Sequence, residues 1–187
     1  MATDGGGFAK LDERVVFKGS LITTVQARFT DPSGDTFERD VVRHPGAVSV
    51  VPVVGTAPSV LLVRQYRAAV DRVLLEIPAG KRDVDSEAPE VTAARELQEE
   101  VGMRTGHLQL LAEFYNSPGF CDEHSFVYLA TDLEAVASSA QGVEEQHMTI
   151  EEVALADVPD LIRSAELVDA KSIIGLALAR EALGIRT

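Results

Sequence analysis

Hydrophobic and polar positions along the chain alternate with strand periodicity first and with helical periodicity later. Val15-Val16-Phe17 and Leu21 to Phe29 read as strands, and Phe37 to Val42 returns as a third after Asp31-Pro32-Ser33-Gly34. In that tetrapeptide proline presets φ and glycine supplies a left-handed position, so a hairpin is predicted. Ala47 to Val54 is a continuous β-branched run, the pattern of a strand buried on both faces. Val60 to Val63 follows a turn at Gly55 to Pro58, and Leu74 to Ile77 is a shorter strand stopped by Pro78-Ala79-Gly80. The strongest helical pattern spans 88–101. Pro89 suits its first turn, Glu87 and Glu90 lie at the positive end of its dipole, and Gly102 supplies its C-terminal stop.

His107 to Tyr115 and Ser125 to Ala130 are further strands, followed by an acidic connection over Ala135 to His147 and a strand at Met148 to Val153. Two helices, about Ala156 to Ala165 and Asp169 to Leu183, close the pattern. Strands first, one helix in the middle and helices last predict an α+β fold, layered as an α/β/α sandwich. Residues 1–10 carry three consecutive glycines and read as a flexible tail. Residues 11–45 form an N-terminal β-rich portion, and 46–187 the main domain.

Composition narrows the function. The 187 residues contain 45% hydrophobic and 25% charged positions, enough apolar content for a real core. The longest apolar runs, such as Val48 to Val54, fall far short of the ~20 residues of a membrane helix. The first residues lack the basic flank and apolar stretch of a signal peptide, and Cys121 is the single cysteine, so a cytoplasmic location is expected. Thirty acidic against 17 basic residues give a formal charge of -13, which argues against a nucleic-acid partner. A protein this acidic that handles an anionic ligand needs local arginines or a metal ion.

The candidate chemistry lies in Gly80 to Met103. With Glu96 at zero and ~100° per residue, Glu100 falls at about 40° and Glu99 at about -60° on the helix. Ala93, Leu97, Val101 and Ala94 span about 60° to 160°, a stripe predicted to be buried. Three carboxylates therefore share one face, with Arg95 at its edge beside Glu99. Their mutual repulsion would become attraction around a hard divalent cation such as Mg²⁺, which favours oxygen ligands. Helix geometry alone favours a solvated acidic face on which Arg95 is an intrahelical partner.

The flanking residues add specificity. Gly80, six residues, Glu87, seven residues and then Arg95-Glu96-Leu97-Gln98-Glu99-Glu100-Val101-Gly102-Met103 closely resembles the Nudix box. Its hydrolases cleave nucleoside diphosphates linked to another group. Every position of the second half matches; the first half has six residues from Gly to Glu where five are usual, and the loop ahead of the helix is expected to absorb the extra one. The resemblance implies a Nudix fold, with the box helix on a mixed sheet and an N-terminal antiparallel β portion that exchanges between subunits of a homodimer. It implies water attack on a pyrophosphate phosphorus with Mg²⁺, Mn²⁺ or another divalent cation. Glu96 and Glu100 match the principal metal ligands, Glu99 assists at the metal or in catalysis, and Arg95 orients the carboxylates. Glu87 matches the first box glutamate, with a structural role or a place at the metal, and Ala79 stands where relatives lend a backbone carbonyl.

Two outer features resemble ADP-ribose pyrophosphatases: Leu75-Glu76-Ile77-Pro78-Ala79-Gly80 leading into the box, and Ser117-Pro118-Gly119-Phe120 beyond it, with Pro118 sixteen residues after Gly102. Glu76, Pro118 and Gly119 are thereby candidate substrate contacts, as are Arg39 and Arg67, which match arginines that reach the substrate in dimeric relatives. Glu144 and Glu145 match a loop glutamate that serves as general base or further metal ligand, with Glu144 favoured by its offset to Met148. His124 and His147 are read as loop histidines. No aromatic residue follows Gly19 where some relatives stack adenine, so Phe17 or Tyr66 would have to serve. The implied reaction is hydrolysis of ADP-ribose to AMP and ribose 5-phosphate. The alternatives are another nucleotide sugar, a dinucleotide such as NADH, or a Nudix domain that binds an ADP-ribose-like ligand without cutting it.

Overall fold

A computed structural model describes residues 5–84, 86–137 and 147–185. The chain forms two compact units, one from residues 1–46 with 115–124, the other from 47–114 with 125–187.

The first unit is a three-stranded antiparallel sheet in the order β1 (Ala9–Lys18), β2 (Thr23–Thr30), β3 (Thr36–Arg43). The hairpin turn between β2 and β3 forms at the predicted place. Gly34 takes φ 90°, and the Asp31 carboxylate accepts the backbone N–H groups of Ser33 and Asp35 at 2.8 and 2.9 Å. Phe29 stacks on Phe37 across the hairpin, ring centroids 5.5 Å apart. Strand β1 starts at Ala9, inside the segment read as a tail, and all ten of its residues are exposed.

The second unit holds a seven-stranded mixed sheet ordered β10 (Thr149–Ala154), β5 (Ser59–Arg67), β4 (Ala47–Val54), β9 (His124–Ala135), β8 (Met103–Tyr115). Strand β6 (Arg72–Glu76) pairs with β5, and β7 (Ala79–Lys81) pairs with β4. Strands β4 and β9 pair in parallel, with Val48 opposite Phe126. The sequence pattern ended a strand at Pro78-Ala79-Gly80, whereas Ala79 to Lys81 form a short strand. Three residues with a central glycine carry no period-two signal, and the pairing comes from β4.

Alternation along the central strands builds two cores. Val48, Val50, Leu61, Val63, Tyr128 and Ala130 pack with Ala93, Leu97 and Val101 of helix α1 (Pro89–Val101). Val51, Val53, Val60, Leu62, Val127 and Leu129 pack with Val158 of α2 (Val158–Arg163) and Leu176 and Ala179 of α3 (Ala170–Ala182). Period-two side chains thus feed a helix on each face, giving the α+β, α/β/α layering. Helix α2 is shorter than the predicted 156–165. No helix among the described residues is long and apolar enough to cross a membrane.

Helix α3 approaches the sheet through Gly175, whose added Cβ would lie 2.9 Å from Val127 Cγ1 and 3.1 Å from both Ile77 Cδ1 and Val51 Cγ2. All three neighbours are buried at 0% exposure, so none can swing into solvent. Gly175→Val is therefore expected to cost about 2–3 kcal/mol through overpacking, outweighing any gain in helix propensity. Chemical denaturation checks this; a midpoint unchanged from the parent would refute the close-packing account.

Candidate active site

Helix α1 is set by its ends. Pro89 opens it, Glu90 lies in the first turn, and Gly102 ends it at φ 67°, donating its N–H to the Gln98 carbonyl at 3.0 Å. Ahead of it, Ser86 takes a left-handed φ of 63°, and the Glu87 N–H reaches the Val84 carbonyl at 3.2 Å. The longer loop turns there, and the helix presents its box residues from Pro89 onward.

The buried arc differs from the predicted stripe. Thr92, Ala93, Glu96, Leu97, Glu100 and Val101 are buried, whereas Ala94 is exposed. The arc runs from about -40° to 140°, so the helix is rolled to bring two glutamates under cover and turn Ala94 outward. Glu96 and Glu100 are only 9% and 6% exposed, which a merely solvated acidic face would not give.

Strand β7 explains how those carboxylates fit. A Cβ on Gly80 would stand 1.9 Å from Glu96 Cδ and 2.2 Å from its Oε1, so the carboxylate occupies the space a side chain would fill. One residue earlier, the Ala79 N–H donates to Glu100 Oε2 at 2.9 Å. Arg95 gathers the rest: Nη1 donates to Glu96 Oε1 at 2.9 Å and to Glu99 Oε2 at 3.0 Å, and Nη2 to Glu87 Oε2 at 3.4 Å. Glu87 also accepts the Thr92 hydroxyl at 2.7 Å, which with Arg95 holds its carboxyl below the usual range.

Among the described residues no group of three or more His, Cys, Asp or Glu side chains is already arranged around a metal position. The donor set nevertheless suits a hard cation: Glu96, Glu99 and Glu100 share one helix face, and the Glu96 and Glu100 carboxylates lie beside the backbone of Gly80 and Ala79. The seat at Gly80, which a side chain there would deny to the Glu96 carboxylate, is the local observation that fits such an ion.

A second charged centre lies at the end of β6. Glu76 is 1% exposed and accepts Arg67 bidentately, Nε to Oε1 at 2.8 Å and Nη2 to Oε2 at 2.7 Å. Lys171 also donates to Glu76 Oε2 and to Asp169 Oδ2, the latter at 2.9 Å. Arg67 and Glu76, each expected to touch substrate, are thus bound to one another. Lys171 was missed because nothing local marks it; Asp169 at the helix start was the only legible part, and it caps α3 by accepting Ser172 N–H at 3.0 Å.

Arg39, Pro118 and Gly119 belong to the first unit. Pro118 and Gly119 form a turn in which Phe120 and Cys121 N–H groups bond to the Ser117 carbonyl at 3.1 and 2.9 Å. That turn is sewn to β3 by Val42 N–H to Phe120 O at 2.7 Å, and Asp122 accepts Arg43 at 2.9 Å. Arg39, also there, lies over the Phe37 ring at 4.8 Å. Glu144 and Glu145 lie outside the described residues. His124 stacks on Tyr115, centroids 5.0 Å apart.

A box helix on a mixed sheet, carboxylates gathered against a glycine strand and an arginine spanning them define a Nudix domain, and the NUDIX domain family matches residues 43–173. The chain belongs to that family. It is 38% identical over 157 residues to an ADP-ribose pyrophosphatase of Bacillus subtilis (strain 168), covering 84% of each chain. It is 35% identical over 169 residues to an ADP-ribose pyrophosphatase of Mycobacterium tuberculosis, covering 90% of this chain and 81% of that one. In fold it resembles the crystal structure of an ADP compounds hydrolase, with a TM-score of 0.82 at 22% identity, over 95% of this chain and 94% of that one.

The buried Glu76 carboxylate gives a pH prediction. Burial pushes its pKa up, but the Arg67 bonds and the Lys171 charge more than offset this and leave it lowered. A lowered folded pKa stabilises above the unfolded value of about 4.3 and is lost as pH falls through the folded value. Glu76→Gln should therefore cost about 3 kcal/mol near neutrality, with the gap to the parent closing below about pH 4. Urea denaturation across pH reads this; a gap independent of pH would show that Glu76 is not ionised in the fold.

Proposed function

We propose that the protein hydrolyses the pyrophosphate bond of ADP-ribose, giving AMP and ribose 5-phosphate. The observation that carries the reading is the pair of buried glutamates, Glu96 and Glu100, seated on the backbone of Ala79 and Gly80 in a chain of the Nudix family. Two relatives at 38% and 35% identity, both ADP-ribose pyrophosphatases, direct the substrate choice.

In this reading Glu96, Glu100 and the Ala79 carbonyl hold Mg²⁺ or Mn²⁺, with Glu99 assisting. A bound divalent ion supplies charge neutralisation at the phosphoryl oxygens and activates water. Arg95 keeps the box glutamates aligned, and Thr92 with Arg95 fixes Glu87 at the start of the helix. Arg67 and Arg39 offer guanidinium groups to substrate phosphates, suited to bidentate contact. The Pro118-Gly119 turn bounds the substrate, and Glu144 or Glu145 serves as general base. The enzyme acts in the cytoplasm as a homodimer. Strand β1 favours the dimer, because Val15, Val16 and Phe17 are 60%, 56% and 59% exposed on one edge strand.

Product analysis with Mg²⁺ and a panel of ADP-ribose, ADP-glucose, GDP-mannose, NADH and diadenosine polyphosphates tests the reaction. AMP and ribose 5-phosphate, with ADP-ribose giving the highest kcat/KM, is the expected result. Preference for another panel member overturns the substrate, and no turnover of any overturns the enzyme. Glu96→Gln and Glu100→Gln should each lose at least about 100-fold in kcat at saturating Mg²⁺ with melting temperature retained. Near-parental turnover by either would refute its place at the metal. Light scattering should give twice the chain mass for the parent and a single chain for Phe17→Asp; a monomeric parent rules out the dimer.

A further inference from the structure

The charged centre around Glu76 contains more than an arginine and its partner. Two cations, Arg67 and Lys171, face two carboxylates, Glu76 and Asp169, and the four are joined in a chain of hydrogen bonds. Their exposure is graded. Glu76 is 1% exposed, the Lys171 and Asp169 side chains 13% and 19%, and the Arg67 side chain 40%. The outer member of the set is therefore a guanidinium, and its negative partner is wholly behind it.

The same network ties α3 to the strand that leads into the box. Asp169 caps α3, the buried Ser172 hydroxyl accepts the Ile77 N–H at 2.8 Å, and Ile77 follows Glu76 directly. Two residues on, Ala79 holds Glu100, and the negative charge of Glu100 also reaches Arg67. Arg67 thus stands within the field of Glu100 while bonded to a buried carboxylate of its own.

From this arrangement we infer that Lys171 is a positioning residue for substrate binding, holding and neutralising Glu76 so that Arg67 presents its charge to the substrate phosphates. Lys171 acts through Glu76 and Arg67 and does not itself meet the substrate. With Lys171 removed, two carboxylates face one guanidinium in a poorly solvated site. Arg67 is then drawn inward as their sole counter-ion, and an anionic ligand meets a net negative surface. The inference rests on the reading that Arg67 contacts the substrate.

Three variants test it, each with steady-state kinetics on ADP-ribose, calorimetric titration of ADP-ribose without metal, and a melting curve. Lys171→Met should raise KM and weaken binding by about tenfold, with a smaller fall in kcat. Lys171→Arg, which keeps the charge, should stay close to the parent. Lys171→Met combined with Glu76→Gln restores the balance of charges and should recover part of the KM loss, although it removes a further buried contact. A purely structural lysine would give the opposite order, with the double variant worse than the single in both KM and melting temperature, and that result overturns the inference. An unchanged KM in Lys171→Met overturns it too, whatever happens to stability. If the parent neither binds nor cleaves ADP-ribose, the substrate reading fails and the inference falls with it. If the parent does both and only Lys171→Met behaves as the parent, the inference fails alone.

Discussion

The absence of a side chain at Gly80 is the constraint on which the site depends. Strand β7 pairs with β4 with Gly80 opposite Val48, and α1 packs its apolar residues on that same strand through Val48 and Val50. Helix and strand are therefore fixed against a common neighbour, and the gap between them is filled by the Glu96 carboxylate. Any Cβ at position 80 would stand 1.9 to 2.3 Å from three Glu96 atoms, so a side chain there would displace the Glu96 carboxylate from its seat. Proline precedes it by two residues, and the Pro78 carbonyl accepts Val50 N–H at 2.9 Å, which anchors the entry to β7 on the central strand.

That geometry is costly to stability and is kept in balance by one side chain. Buried carboxylates on adjacent turns repel, and repulsion grows as water is excluded. Arg95 answers with bonds to Glu87, Glu96 and Glu99, while the Ala79 amide takes Glu100. An apolar residue at 96 or 100 would pack against β7 more cheaply. The fold has instead used the arc nearest the sheet for acids, a place where local consistency yields to function. The Glu76 centre follows the same rule, with a carboxylate in the interior and cations from β5 and α3 closing around it.

Features set by neighbours in sequence were legible in the sequence, and features set across the fold were not. Pro89 and Gly102 placed α1, and Asp31 to Gly34 placed the hairpin, because proline and left-handed glycine act within one turn of chain. Helix angles placed Glu96, Glu99 and Glu100 on one side, yet could not say how far the helix is rolled on the sheet, so Ala94 was misjudged. Strand β7 is three residues long and borrows its conformation from β4. The Arg67–Glu76 pair and Lys171 join residues 9 and 95 positions apart, and no periodicity carries such a meeting. Positions 144 and 145 rest on sequence offset alone.

The formal charge of -13 would seem to set this protein against an anionic substrate. At physiological ionic strength, however, fields fade over about 8 Å, so the charges that matter to a bound phosphate are those within a few contacts of it. There the arithmetic differs from the surface average. Arg95 and Arg67 are each committed to carboxylates, and Lys171 offsets Glu76 from behind. The Glu76 centre is balanced, two cations against two carboxylates, whereas around Arg95 the carboxylates of Glu87, Glu96, Glu99 and Glu100 outnumber the single guanidinium. A divalent cation bound among those carboxylates would offset most of their negative charge, which neither arginine does alone. The acidic surface is therefore no bar to an anionic ligand, because the charges that act on such a ligand are the local ones around it and not the total on the chain.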